Sequence, residues 1–112
     1  MDAYLANARL FNEAFERLSQ QDYESAVRLF NQVLAGNPRH VQSFGNLGLA
    51  LAGLGRRADA LESFDRALAL NPSYEPARSN RRIIETMREG EPFRPGGIKE
   101  IHYYLDKLNQ GK

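Results

Sequence analysis

Apolar residues recur at steps of three and four along most of this 112-residue chain, which is the pattern of amphipathic helices. In the first such stretch the apolar positions are Leu5, Ala8, Phe11, Phe15 and Leu18. The pattern predicts helices over residues 2–19, 23–35, 39–52, 57–70, 74–88 and 98–109. Short turns that contain Gly, Pro or Asp separate the predicted helices, so we expect an all-α fold of antiparallel neighbours.

The second and fourth predicted helices, together with the turns that end them, repeat one another at a fixed interval along the chain. Between residues 7–40 and 41–74 the identical pairs are Asn12/Asn46, Ala26/Ala60, Phe30/Phe64, Leu34/Leu68, Ala35/Ala69, Asn37/Asn71 and Pro38/Pro72. The paired alanines at 26 and 60 are small where a larger side chain would push two helices apart. The paired prolines cannot continue a helix and so end each unit. Each helix pair buries only one face by itself, so the pairs must stack to form a continuous core.

A fuller motif lies within the second of these units. It reads Phe44-x2-Leu47-Gly48-x2-Leu51, then Ala60-x3-Phe64, then Pro72. This resembles the tetratricopeptide repeat family, whose signature is W-x2-L-G-x2-Y, A-x3-F and P within a repeat of about 34 residues. The resemblance covers two repeats, about 7–40 and 41–74, with a capping helix at 75–88, and so a repeat domain over 1–90. It implies an all-α, right-handed superhelix of two helix-turn-helix repeats.

In the family, the first helix of each pair lines a concave groove that binds a partner. Carried over position by position, the groove residues are Phe11, Asn12, Phe15, Gln42, Asn46, Leu49, Asn80, Ile83 and Met87. The three asparagines recur at the interval of the repeat, and their amides offer hydrogen bonds either to a peptide backbone or to the repeat's own backbone. Phe15, Leu49 and Ile83 recur at the same interval. They form either an apolar strip for partner side chains or ordinary packing between helices.

One subset of the family grips a C-terminal carboxylate with Lys and Asn on the first helix, Asn on the third, and Lys and Arg on the fifth. Here only Asn46 matches, and the other places hold Phe11, Phe15, Pro76 and Asn80. The resemblance therefore argues against chaperone-tail binding of that kind and favours a more apolar ligand.

The C-terminal part of the chain lies outside the two repeats. Residues 91–97 hold two prolines and two glycines and are predicted to be a loop. Residues 98–112 are predicted to carry an amphipathic helix, with its apolar seam at Ile98, Ile101, Leu105 and Leu108. Two repeats are fewer than the three or so that usually suffice for stability. The helix therefore caps the fifth helix, enters the groove of its own or another chain, or stays free.

Charge and composition argue against several other classes of function. The net charge is +1, so we expect no strong attraction to nucleic acid or to an anionic membrane. The chain has no cysteine, which excludes disulfides and thiolate metal sites and suits a reducing, cytoplasmic compartment. His40 and His102 have no partners at metal-ligand spacing and are expected at the surface, so neither a metal nor another cofactor is predicted.

The sequence thus predicts a protein-interaction adaptor that holds a peptide or helix of a protein partner in its groove. No nucleophile with a matching base and no phosphate-binding loop is found, so the protein is not expected to be an enzyme. The alternative is a structural self-assembly module, in which the C-terminal helix drives homo-oligomerisation or fills the groove.

Overall fold

The computed structural model describes residues 2–93, and this part of the chain is all-α, as predicted. Its helices are α1 (Ala3–Ser19), α2 (Tyr23–Gly36), α3 (Val41–Gly53), α4 (Arg57–Leu70) and α5 (Glu75–Ile84). Each helix packs against the next along the chain, and α1 and α5 also touch α3. The predicted helix at 98–109 and most of the predicted loop lie outside the described residues. None of the described helices is long and apolar enough to cross a membrane.

The α1 and α2 helices begin where the sequence supplies acceptors for their free N–H groups. Asp2 Oδ1 accepts from the Tyr4 N–H at 2.8 Å, and Asp22 Oδ1 accepts from the Ser25 N–H at 3.4 Å. The α5 helix has Pro76 in its first turn, where a missing N–H costs nothing. These signals are local, which is why the predicted starts lie close to the observed ones.

The core is built around the aromatic residues of the two repeats. Phe11, Phe30 and Phe64 are fully buried. The rings of Phe11 and Phe30 meet edge to face, with centroids 5.7 Å apart. Ala26 and Ala60 are also fully buried, as expected for small residues at helix crossings. The core therefore runs continuously from the first helix pair into the second.

Gly48 of α3 lies directly against the ring of Phe64 on α4. A Cβ atom placed on Gly48 would lie 2.7 Å from Cζ of Phe64. Phe64 is fully buried and cannot swing aside. Only glycine fits this crossing, because any side chain would force the two helices apart.

The fifth helix is shorter than predicted, since α5 ends at Ile84 and not at residue 88. The N–H groups of Thr86 and Met87 bond three residues back, to the carbonyls of Ile83 and Ile84, at 3.1 Å each. These bonds tighten the chain into a turn. Met87 continues the apolar spacing, which is why the pattern alone predicted a longer helix.

Residues 85–93, here called the exit segment, fold back onto the turn between α3 and α4. The Gly90 N–H donates to the Gly55 carbonyl at 2.7 Å, and the Phe93 N–H donates to the Ala52 carbonyl at 2.9 Å. Gly55 has φ +81°, and a Cβ there would lie 2.8 Å from the backbone of Gly90. A glycine is therefore needed at 55 for both its backbone angle and the close contact.

The exit segment also caps α4. The residue before α4, Arg56, makes no side-chain cap. Glu89 replaces it: its two carboxylate oxygens accept from the N–H groups of Arg57 and Ala58, each at 2.9 Å. A negative charge at a helix N-terminus is also favourable to the helix dipole.

We expect Gly48→Ala to lower the free energy of unfolding by about 1–3 kcal/mol, because the methyl group overpacks against Phe64. At an unhindered helical site the same change would stabilise by about 1 kcal/mol. Urea denaturation measures the effect. In a Phe64→Leu background the cost should shrink or change sign. Equal costs in both backgrounds would show that the two residues do not meet.

We expect Glu89→Ala to lower the free energy of unfolding by about 1 kcal/mol, the usual cost of a lost helix cap. Glu91→Ala, in the same exposed segment, is the matched control and should change stability by less than about 0.5 kcal/mol. Amide hydrogen exchange gives a second readout: the amides of Arg57 and Ala58 should exchange faster in Glu89→Ala alone. Unchanged exchange there would rule out the cap.

Candidate functional site

The nine predicted groove residues lie on the helices that come first in each pair and in the turn after α5. Because α1 and α5 each touch α3, these helices lie side by side. Together they form what is called here the α1–α3–α5 face. The shared interval of the repeat places Asn12, Asn46 and Asn80 at equivalent heights on the three helices. Met87 lies beyond the end of α5.

The structure gives these residues unequal access to solvent. Phe11, Asn46 and Asn80 are fully buried, and Leu49 and Met87 are 4% and 9% exposed. The partly buried members are Asn12, Phe15, Gln42 and Ile83. Solvent therefore reaches these four more than the other five predicted residues. Asn46 and Asn80 stay predictions for the site, and their side-chain amides are closed to solvent.

The side chain of Asn12 holds a buried hydrogen-bond acceptor. Its side-chain oxygen Oδ1 is buried and has no hydrogen-bond partner among the described residues. A buried acceptor left unmatched costs about 1–3 kcal/mol. A donor supplied from outside the described part of the chain would recover that cost.

Phe11 belongs to the core more than to a binding surface. Its ring stacks near Phe15, with centroids 6.4 Å apart, and meets Phe30 edge to face. The ring of His40 also stands edge-on to it, with centroids 5.3 Å apart. Phe11 therefore positions Phe15 on the face and does not itself reach the surface.

The prediction that His40 lies at the surface is wrong, since it is only 5% exposed. Its Nδ1 accepts from the Ser43 N–H at 3.2 Å and lies 2.8 Å from the Ser43 hydroxyl oxygen. His40 thus caps the N-terminus of α3. Because Nδ1 accepts, the ring proton of the neutral imidazole is on Nε2. Burial lowers the pKa of His40 to about 4.

The α3 helix is buried along nearly its whole length, since every residue from Ser43 to Gly53 is buried. Asn46 and Leu49 belong to the α1–α3–α5 face, whereas Phe44 and Leu47 lie towards the opposite side of the stack. A Cβ at Gly53 would lie 2.6 Å from the ring of Tyr23. The start of α2 therefore covers the C-terminal end of this central helix.

A concavity that the sequence did not indicate opens on the opposite side, between α2 and α4. Its volume is about 500 Å³. Its floor and walls include Phe44, Leu47, Leu51, Val27 and Leu34, and its rim includes Asn31, Arg56, Asp59, Glu62 and Arg66. The rim carries two arginines and two carboxylates, which pair as Arg56–Asp59 and Arg66–Glu62, so the cleft selects neither an anion nor a cation.

Three arginines of α5, Arg78, Arg81 and Arg82, lie close together beside α4. Arg81 Nε donates to Asp65 at 2.7 Å, and Arg81 also pairs with Glu85. The hydrogen bond to Asp65 is the main cause of a raised pKa at Arg81. These carboxylates offset part of the positive charge, which argues against a nucleic-acid site here. Among residues 2–93 no group of three His, Asp or Glu side chains could hold a metal ion.

Comparisons with known proteins identify related sequences. The family model described as tetratricopeptide repeat matches residues 11–75. The chain is 32% identical over 62 residues to the peroxisomal targeting signal receptor of Saccharomyces cerevisiae, covering 55% of this chain and 10% of that protein. It is 20% identical over 113 positions to the Hsp70-Hsp90 organizing protein of Triticum aestivum, covering 86% and 19%. It is 29% identical over 85 residues to trafficking protein particle complex subunit 12 of Homo sapiens, covering 76% and 12%.

No solved structure matches the chain. The chain spans 10% to 19% of the length of these curated relatives. The roles that these relatives are named for therefore belong to much longer proteins.

We expect stability to fall on acidification because of His40. The unfolded chain binds a proton near the ordinary pKa of 6.5, and the folded chain only near pH 4. The contribution is therefore complete above pH 6.5 and lost as the pH falls towards 4. At about pH 5 the loss relative to about pH 7.5 should be about 2 kcal/mol.

Urea denaturation of the wild type and of His40→Asn at both pH values measures this loss. Asparagine also caps helices but does not titrate, so other groups contribute equally to both proteins. An equal pH dependence in the two proteins would contradict the assignment to His40.

Proposed function

Since the chain belongs to the tetratricopeptide repeat family, we propose that it is a protein-interaction adaptor. Its α1–α3–α5 face binds a peptide or helix of a protein partner. The names of two relatives, a targeting signal receptor and an organizing protein for Hsp70 and Hsp90, describe binding to other molecules. They support a binding role for this chain, and no reaction is proposed for it.

The observation that carries this proposal is the buried, unmatched Oδ1 of Asn12 beside accessible apolar surface. Phe15 and Ile83 are partly buried and offer that surface. A ligand that brings an N–H donor to Asn12 would remove the cost of the unmatched acceptor. Its apolar side chains would cover the two hydrophobic residues.

The chemistry of this face favours an apolar ligand over a carboxylate. The partly buried groove residues Asn12, Phe15, Gln42 and Ile83 carry no charge. Amphipathic helices commonly dock in this way, with anchors spaced three and four residues apart. We also propose a cytoplasmic location, for which a chain without cysteine is suited.

A library of displayed short peptides, each long enough to form a few helical turns, tests the proposal. Peptides selected on the full chain should bind Asn12→Ala at least about tenfold more weakly, which corresponds to about 1.4 kcal/mol. The matched control is Asn31→Ala, the same change on the rim of the opposite cleft, and it should leave affinity unchanged. Asn12→Ala should fold normally, because it removes an acceptor that is unmatched.

Two results would overturn this function. One is a set of selected peptides that lose affinity on Asn31→Ala and keep it on Asn12→Ala, since binding would then lie in the α2–α4 cleft. The other is a library that yields no saturable binder for the correctly folded chain.

A further inference from the structure

The described part of the chain ends at Phe93, which lies beside the C-terminal end of α3. The Phe93 N–H donates to the carbonyl of Ala52, in the last turn of α3. Glu89 holds the exit segment to the start of α4. Phe93 itself packs against the hydrophobic core. The next residue therefore starts beside one end of the helix that occupies the middle of the α1–α3–α5 face.

The α3 helix is more buried than a helix that borders an open groove would be. A helix that borders an open groove leaves one side in solvent. Within the face, however, Asn46 is fully buried and Leu49 is 4% exposed. The α2 and α4 helices account for burial on the opposite side, where Phe44 and Leu47 lie. Burial of the near side calls for a cover over the face.

The remaining sequence has the length for such a cover. After Phe93 the chain continues from residue 94 to residue 112. A helix over 98–109 would be about 18 Å long, and α3 is about 20 Å long. The connection at 94–97 includes Pro95, Gly96 and Gly97, and it can reach up to about 14 Å. A helix that begins at 98 can therefore run back along α3.

The chemistry of this segment also matches the face. Ile98, Ile101, Leu105 and Leu108 form one apolar seam at spacings of 3, 4 and 3. The face offers Phe15, Leu49 and Ile83 along its length. Leu105 would lie about 10 Å from the start of the helix, at the height of Asn46 and so of Asn12.

We propose that residues 98–109 form a helix antiparallel to α3 that covers the α1–α3–α5 face of the same molecule. A short tether gives the segment an effective concentration in the millimolar range, so a second copy competes poorly for the same face. A partner then binds by displacing this helix. The displacement step rests on the function proposed above, whereas the cover itself does not.

Disulfide trapping in the full chain tests the cover, because the protein has no cysteine of its own. The test variant carries Asn12→Cys with Leu105→Cys. The matched control carries Asn31→Cys with Leu105→Cys, which places the same thiol on the opposite side of the stack. Under mild oxidation the test variant should lose both free thiols in most molecules and remain monomeric. The control should keep its thiols.

Thiol counting by mass spectrometry and non-reducing electrophoresis separate the outcomes. A disulfide-linked dimer of the test variant would overturn the proposal, because the cover would then come from another chain. Free thiols in the test variant would overturn it as well. Gln42→Cys with Leu108→Cys provides a second pair, in case the first variant does not fold.

Trapping needs no partner, so its result is independent of the peptide selection. If trapping succeeds and no peptide is ever selected, the cover stands and the adaptor function fails. If both succeed, oxidation of the test variant should abolish the residual binding of the selected peptides, and reduction should return it to the weaker level of Asn12→Cys alone.

Discussion

The α3 and α4 helices cross where Gly48 faces the ring of Phe64, and no side chain fits between them. This contact sets the rotation of α3 about its own axis. With Gly48 turned towards α4, Asn46 and Leu49 take their places on the α1–α3–α5 face. Phe44 and Leu47 line the cleft on the other side. Both surfaces of the stack therefore depend on one position that has no side chain.

Much of this architecture could be predicted because it is encoded locally. The spacing of apolar residues indicated the five described helices, and the Gly48 and Ala60-x3-Phe64 motif indicated their pairing. The cap on α4 could not be predicted, since Glu89 lies far along the chain from Arg57. Likewise, nothing in the sequence next to His40 shows that Phe11 of α1 packs against its ring. Such contacts form only when distant segments of the chain fold together, so the local sequence does not reveal them.

The sequence predicted which helix positions the candidate site residues occupy, but it did not predict how far solvent reaches each of them. The repeat period places Asn12, Asn46 and Asn80 at equivalent points on parallel helices. The same period says nothing about what packs over each of them. Two of the three amides are fully buried, and the oxygen of the third is buried without a described partner. Exposure depends on the whole assembly of helices, which is why a pattern within one repeat cannot supply it.

Because Glu89 caps α4, the two helix pairs obtain their caps at different times during protein synthesis. The first pair carries its own caps, because Asp2 and Asp22 stand directly before the helices that they serve. The second pair receives the cap of α4 from a residue that is made well after Ala58. As the chain emerges from the ribosome, N-terminus first, both caps of the first pair are present early. The cap of α4 is absent until the exit segment arrives, and until then water alone can bond to the first N–H groups of α4.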